Sequence, residues 1–346
     1  MTAVQRVDPR THPLWHELAS GPAGSLFTSP PWITAVSDTY DFTPSGCVLT
    51  DESGGPRAGF AWTDVDDLRG LRRLSLPFSD RADPIAADLA SWQAVAADAL
   101  AGDVPLTLRC LDTSPAVEDP RLNCTGEAAW HATSLTRPLH ELRAEFRPQT
   151  RRNIATAERA GVDVVLSAEP EAVREYHRLH VELRKRKYRL LAQPPEFFDR
   201  IWKAFAPTDA IRTALATVGG RPVAGALYLV WQDTVYYKFG ASQAEYLPLR
   251  PNDAIHWHMI QWAHGRGLKM LDWGLSDLDQ PGLCRYKRGW ASVEGRIRTL
   301  NAGGPPRGRR VDVEETLAAI TDLLTDPSVP HAVTERAGAA LYRFFC

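Results

Sequence analysis

No run of about 18 apolar residues occurs in this 346-residue chain, which excludes an ordinary membrane-spanning helix. Cysteine is sparse and scattered: Cys47, Cys110, Cys124, Cys284 and Cys346 are odd in number and show no Cys-x-x-Cys spacing, so neither a disulfide framework nor a zinc knuckle is expected. Charge of either sign is not in excess. The formal net charge is −2, so no global field draws the protein to a polyanion, and any phosphate-rich partner has to be met by a local basic patch. The start, MTAVQRVDPRTHPLWHEL, lacks the apolar segment of ~7–15 residues that a signal peptide needs, so the expected setting is the reducing cytoplasm. Covalent chemistry is not indicated either, because no Gly-x-Ser-x-Gly elbow is present and no cysteine has a nucleophile's surroundings. Metal binding is also not expected. His256 and His258 stand two apart on a helical pattern and point to different faces, while His177 and His180 have no third ligand near them in sequence.

What the chain does have is apolar residues throughout: 44% hydrophobic against 24% charged, enough for two cores at this length. Helical and strand patterns alternate, as in an α/β fold. In the first half, helices are expected near 14–18, 32–38 and 87–101, and strands near 46–50, 57–63 and 106–111. A second series starts near Leu135, with helices at 148–160, 170–187, 195–206 and 253–266, and strands at 212–218, 221–231, 234–241, 269–275 and 293–300. Two helical segments, 313–324 and 333–345, close the chain. Gly54-Gly55-Pro56-Arg57 in the first half is echoed by Gly219-Gly220-Arg221-Pro222 in the second, each reading as a hairpin turn before a strand, so a duplicated plan is expected. Asn301 to Gly308, rich in Gly and Pro, reads as a linker.

Three segments carry candidate chemistry. The helix from Pro148 to Ala160 has proline at its first turn and Gly161 after its end, and its start is basic: Arg151, Arg152 and then Asn153. A second basic run, Arg184-Lys185-Arg186-Lys187-Tyr188-Arg189, ends the next helix. Each run alone is an ordinary solvated face; together they suit a phosphate-bearing ligand. The strand Tyr236-Tyr237-Lys238-Phe239-Gly240 should alternate, with Tyr236 and Lys238 on one face and Tyr237 and Phe239 on the other. Arg250-Pro251-Asn252-Asp253 leads into the following helix with Asn252 or Asp253 as its cap. The strongest local signal is Asp272-Trp273-Gly274 at a strand end, followed by Gly282-Leu283-Cys284-Arg285-Tyr286-Lys287-Arg288-Gly289-Trp290. It places titratable groups at the carboxyl end of a sheet, where open α/β sheets bind ligands.

These segments, in this order and spacing, resemble the second half of the Fem family of aminoacyl-tRNA-dependent aminoacyltransferases and related tandem GNAT-fold acyltransferases. Leu26-Phe27-Thr28-Ser29-Pro30-Pro31-Trp32 and Leu76-Pro77-Phe78-Ser79-Asp80 are similar to the family's first half. The resemblance implies an α/β (α+β) fold of two GNAT-like domains in tandem, each a mixed twisted sheet flanked by helices. The divisions expected are 1–135, a catalytic 136–305, and helices from 306 to 346 returning to the first domain. The long helical arm of some Fem proteins is missing. Arg250-Pro251-Asn252 stands where GNAT enzymes carry a Gly-rich loop for the CoA pyrophosphate.

The implied activity is amide formation, with an aminoacyl group moving from aminoacyl-tRNA to an amine of a peptidoglycan precursor or a small natural product. No bound cofactor and no metal is implied. Acyl-CoA is the alternative donor, and an inactive phosphate-binding scaffold is the alternative from another class. Lys287, Tyr286, Tyr237 and Asp272 are the catalytic candidates. Arg151, Arg152, Asn153, Lys185, Lys187, Arg250 and Asn252 are candidates for holding donor phosphates, and Tyr236, Lys238, Arg285 and Trp290 for the acceptor.

Overall fold

The computed structural model describes residues 3–304 and 312–346, which form two compact units. The first comprises residues 1–129, 295–316 and 343–346, and the second residues 130–294 and 317–342.

In the first unit, strands β1 (Ala3–Val7), β2 (Thr43–Thr50), β3 (Pro56–Val65), β4 (Arg72–Leu74) and β5 (Leu106–Leu111) accompany helices α1 (Pro13–Ser20), α2 (Pro30–Tyr40) and α3 (Leu89–Ala96). The strands lie in sequence order, antiparallel except for the parallel pair β4–β5. Their core gathers Phe60, Trp62, Trp92 and Leu108.

The chain passes into the second unit along a strand that the sequence pattern does not announce, β6 (Asn123–Ser134), whose first half is polar and exposed. There follow α4 (Leu139–Glu145), α5 (Pro148–Arg159), β7 (Asp163–Ser167), α6 (Pro170–Leu183), α7 (Pro195–Phe205), β8 (Ile211–Val218), β9 (Arg221–Trp231) and β10 (Thr234–Ser242). Then come α8 (Pro251–Gly265), β11 (Met270–Asp277), α9 (Pro281–Arg288) and β12 (Val293–Ala302). The sheet order in the second unit is β6-β11-β10-β9-β8-β7; β12, whose residues from Gly295 on belong to the first unit, pairs antiparallel with β5 there. All pairs from β7 to β10 are antiparallel; β10 and β11 are parallel, joined by α8 as the crossover that a parallel connection requires.

Proline begins α5, α6, α7, α8 and α9, where its missing N–H costs nothing. α5 stops at Gly161, whose φ of +66° suits the left-handed end, and the Val162 N–H returns to Ala157 O. The two glycine echoes are both hairpin turns, joining β2 to β3 and β8 to β9. Nine of the fifteen residues of α8 are buried, so it lies within the core, packed on Ile154 and Ala157 of α5.

Three expectations are corrected. Asn301 and Ala302 belong to β12, paired with Thr107 and Leu106, so the linker reading fails there; 305–308 lie outside the described residues. The closing helices α10 (Val313–Leu324) and α11 (His331–Leu341) do not return to the first unit beyond residue 316: Leu317–Tyr342 groups with the second. There Lys185 Nζ donates to Val329 O, Arg189 donates to Thr325 O and Asp322, and the Gly338 backbone rests on Ala192. Neither Asn252 nor Asp253 caps α8; the cap is Arg250, in the left-handed region at φ +61°, with no side-chain bond. Among the described residues no helix is long and apolar enough to cross a membrane.

Candidate active site

β10 and β11 pair only at Thr234, Val235 and Tyr236, against Met270, Leu271 and Asp272, and then diverge. Past Tyr236, that edge of β10 has lost its neighbour, which leaves backbone groups facing a gap. Two side chains hold the gap open. Asp272 Oδ1 accepts from Gly274 N at 2.7 Å, in a kink that glycine permits at φ +69°. Lys287 of α9 is buried, and its Nζ donates to Leu275 O at 2.8 Å and Gly274 O at 3.5 Å, beside the place where the two strands separate.

Strand β10 also carries a bulge between Tyr237 and Phe239. One extra residue reverses the alternation, so the expected sharing of a face by Tyr237 and Phe239 is wrong. Phe239 packs on Phe197 and Phe198 of α7, while Tyr237 packs against Tyr228 of β9, His256 of α8 and Trp273 of β11. Gly240 makes room for Tyr237, because a Cβ there would lie 1.9 Å from the hydroxyl oxygen.

Tyr237, His256, Tyr286 and Asn252 line a cavity of about 220 Å³ at the point of divergence, closed on the other side by Lys187 and Tyr188. Residues 184–188 form a single π-type turn extending α6, a wide turn frequent at functional sites. Tyr188, Leu247 and Leu283 contribute exposed apolar surface at the rim. Leu183, Lys187, Ser242 and Leu247 are shared with a larger hollow of about 820 Å³, a size that takes a substantial ligand. Arg186, Arg221, Glu182 and Glu245 also border it.

Burial sets the protonation states. It holds the His256 imidazole down to about 3, with the Lys287 charge acting in the same direction, so the ring is neutral; its Nδ1 lies 2.6 Å from the Tyr228 hydroxyl. Burial raises Tyr237 above the usual phenol range and Tyr286 well above it. The Asp253 carboxyl is pushed up to about 6 by burial, against smaller opposing effects of Asn153 and Arg250.

Residues 144–288, which carry every one of these features, match the family of GNAT acetyltransferase domains. Residues 144–288 form a GNAT acyltransferase domain. Against the curated proteins the sequence has no match. Solved structures share the fold over nearly the whole chain. FemX is 13% identical with a TM-score of 0.66, over 85% of this chain and 96% of that one. L-PGS from Bacillus licheniformis is 14% identical with a TM-score of 0.51, over 84% and 91%. A tandem GNAT protein from the clavulanic acid biosynthesis pathway is 12% identical with a TM-score of 0.50, over 87% and 98%. At these identities the likeness is one of fold.

Within the GNAT domain, the structure brings Tyr237, Tyr286, Asn252 and Lys187 together on one cavity, with Lys287 close enough to act on His256. Other candidates lie elsewhere. Arg151 donates to Ala144 O and Phe146 O, securing the end of α4, and Arg152 donates to Gln149. Asn153 is buried against Asp253, and Lys185 is buried against Val329 O, so neither meets the hollow. Arg250 and Arg285 are exposed and border neither hollow. Asp272 is buried in the kink of β11. Trp290 is a core residue packed on Phe146 and Trp273, Tyr236 is buried one step before the bulge, and Lys238 sits in the bulge with its ammonium over the Phe239 ring. Among the described residues no cluster of three His, Cys, Asp or Glu could hold a metal; His177 and His180 both bond Gln193.

Sequence reasoning missed Tyr228, Ser242 and Tyr188, and gave His256 and Asp253 no part in the chemistry. The usable signal lay in α8: an Asp and a His three apart, set among the apolar residues Ala254, Ile255 and Trp257, are buried polar groups, and such groups need partners.

Proposed function

We propose that this enzyme transfers an aminoacyl group from aminoacyl-tRNA to an amine, forming an amide on a small molecule or a sugar-peptide. The observation that carries the choice of donor is the start of α8. Pro251 has no N–H to offer, and the Asp253 and Ala254 N–H groups are bonded to Arg250 O. A GNAT enzyme that grips the CoA pyrophosphate does so with free amides of a Gly-rich loop at this place, and this helix start supplies few. The Fem-like fold supports the same reading.

In this reading the ester carbonyl lies in the gap beside β10, where backbone N–H groups of Tyr236–Ala241 meet the developing oxyanion. Losing one such donor costs on the order of 3–4 kcal/mol in the barrier. Lys287 holds the gap open and supplies positive potential, Tyr237 or Tyr286 hands a proton to the leaving oxygen, and Lys187 at the mouth meets the terminal phosphate of the donor. No covalent intermediate is needed. The test is donor consumption: the enzyme is incubated separately with charged total tRNA and with acetyl-CoA in the presence of amines. Deacylation of tRNA that RNase abolishes is the expected result; consumption of acetyl-CoA alone refutes it.

A further inference from the structure

Asp253 has no part in the chemistry above, yet it sits one residue from the cavity-lining Asn252 and is 3% exposed. On one side it ends a chain of hydrogen bonds in which every donor points toward it. Arg152 Nη2 donates to Gln149 Oε1 at 2.9 Å, Gln149 Nε2 to Asn153 Oδ1 at 2.7 Å, and Asn153 Nδ2 to Asp253 Oδ1 at 3.3 Å. On the other side stands Tyr286 of α9. Its ring lines the cavity, and its hydroxyl is buried between the Asp253 carboxyl and the Trp290 indole N–H, interacting with both at looser than ideal hydrogen-bond geometry. The hydroxyl thus stands between the cavity and a buried carboxylate, placed to pass a proton from one to the other.

An acceptor amine arrives as an ammonium ion and must lose a proton before it attacks. The groups facing the cavity narrow the choice. His256 from α8 is too weak a base, and Tyr228 and Tyr237 from β9 and β10 keep their protons. Around Asp253 stand Asn153 from α5, the Arg250 charge at the start of α8, and Tyr286 from α9. Of the groups just named, Asp253 is the one ionised at neutral pH and still basic enough to take a proton near it.

We propose that Asp253 is the final acceptor of the amine's proton, reached through the Tyr286 hydroxyl. The ammonium gives a proton to Tyr286 Oη as Tyr286 gives its own to the Asp253 carboxylate, and the amine is left neutral with its lone pair free. The lone pair forms the C–N bond; as the C–O or C–S bond to the donor breaks, the leaving atom takes the proton held on Asp253 through Tyr286, and the second proton shed by the nitrogen passes to the emptied carboxylate and from there to solvent. Asp253 acts through Tyr286, so it is a positioning residue. The relay rests on acyl transfer to an amine and not on the identity of the donor.

The experiment uses the full chain as wild type, Asp253→Asn, Asp253→Glu and Tyr286→Phe. Carbon-13 NMR of carboxyl-labelled aspartate follows Asp253 directly and needs no turnover. A resonance titrating near pH 6 that vanishes in D253N is expected, and one titrating near 4 overturns the proposal. Transfer to glycinamide is then measured from alanyl-tRNA and from acetyl-CoA between pH 5.5 and 9. D253N and Y286F should each lower kcat about a hundredfold at pH 7 with KM little changed. The double variant should lose no more than either one, D253E should recover part of the rate, and the defect should shrink as the amine deprotonates unaided. A D253N rate within twofold of wild type, or a defect independent of pH, overturns the relay. If only acetyl-CoA is consumed, the donor reading fails while the relay is still decided.

Discussion

Replacing Gly240 by alanine tests the geometry of the cavity most directly. The new Cβ would stand 1.9 Å from Tyr237 Oη and 2.9 Å from Cζ, so the ring must move. It has little room, since its centroid lies 4.9 Å from that of His256, 5.5 Å from that of Tyr228 and 6.1 Å from that of Trp273. Overpacking of this kind costs about 1–3 kcal/mol, which for a unit of this size lowers Tm by roughly 2–12 °C. Because the displaced ring is also a cavity wall, turnover should fall together with stability. Tyr237→Phe removes the atom in closest conflict, so in that background the G240A penalty should drop by about half, and thermal melts of the four proteins form a double-mutant cycle. A G240A protein with an unchanged Tm, or a penalty of equal size in both backgrounds, refutes the account of why glycine stands there.

The other predictions concern charge. Because the folded Asp253 carboxyl is raised from 3.8 to about 6, the native state holds that proton more tightly than the unfolded chain does. Its contribution therefore favours folding less and less as pH rises through that window. Asp253→Asn should match wild type at pH 3.5 and exceed it in stability above pH 7 by up to about 3 kcal/mol, a gain that urea unfolding at the two pH values will show or deny. Lys287→Met strips the donor from Leu275 O and Gly274 O and should cost about 1–3 kcal/mol of stability as well as turnover; unchanged melting would contradict the role of its ammonium in the gap. Lys185→Ala and Lys187→Ala should separate cleanly. The first frees Val329 O and should speed proteolysis around residues 325–342 without altering donor KM; the second should raise donor KM in a salt-dependent way and leave proteolysis alone.

Much of this architecture is legible in the sequence because local signals and fold agree. Proline at the first turn marks α5 to α9, Gly161 marks an end, and both Gly-Gly turns close hairpins. Hidden features depend on contacts that sequence distance conceals. Asn153 meets Asp253 across 100 positions, and Tyr228 meets His256 across 28. The bulge at Lys238 leaves no composition mark, yet it sends Tyr237 and Phe239 to opposite faces. The basic runs are divided by the fold for a different reason. A cation's side chain reaches for the nearest unpaired carbonyl, so Arg151, Lys185 and Arg189 are used at the ends of α4 and α10 and beside α11, and of the residues singled out for donor phosphate in that run only Lys187 remains at the hollow.

The π-type turn at 184–188 has a consequence for the length of the chain there. Each residue of a regular helix advances about 100° around its axis, so the wide turn works as a phase shifter. It directs Lys187 and Tyr188 to the cavity while Lys185 and Arg189 grip the closing segment. Deleting a single residue from it would let the helix relax to normal winding and exchange those assignments at one stroke. Elsewhere on the surface a one-residue deletion in a loop is a small event; here it would disturb the cavity mouth and the closing segment together, which makes this stretch intolerant of length change even where it tolerates substitution.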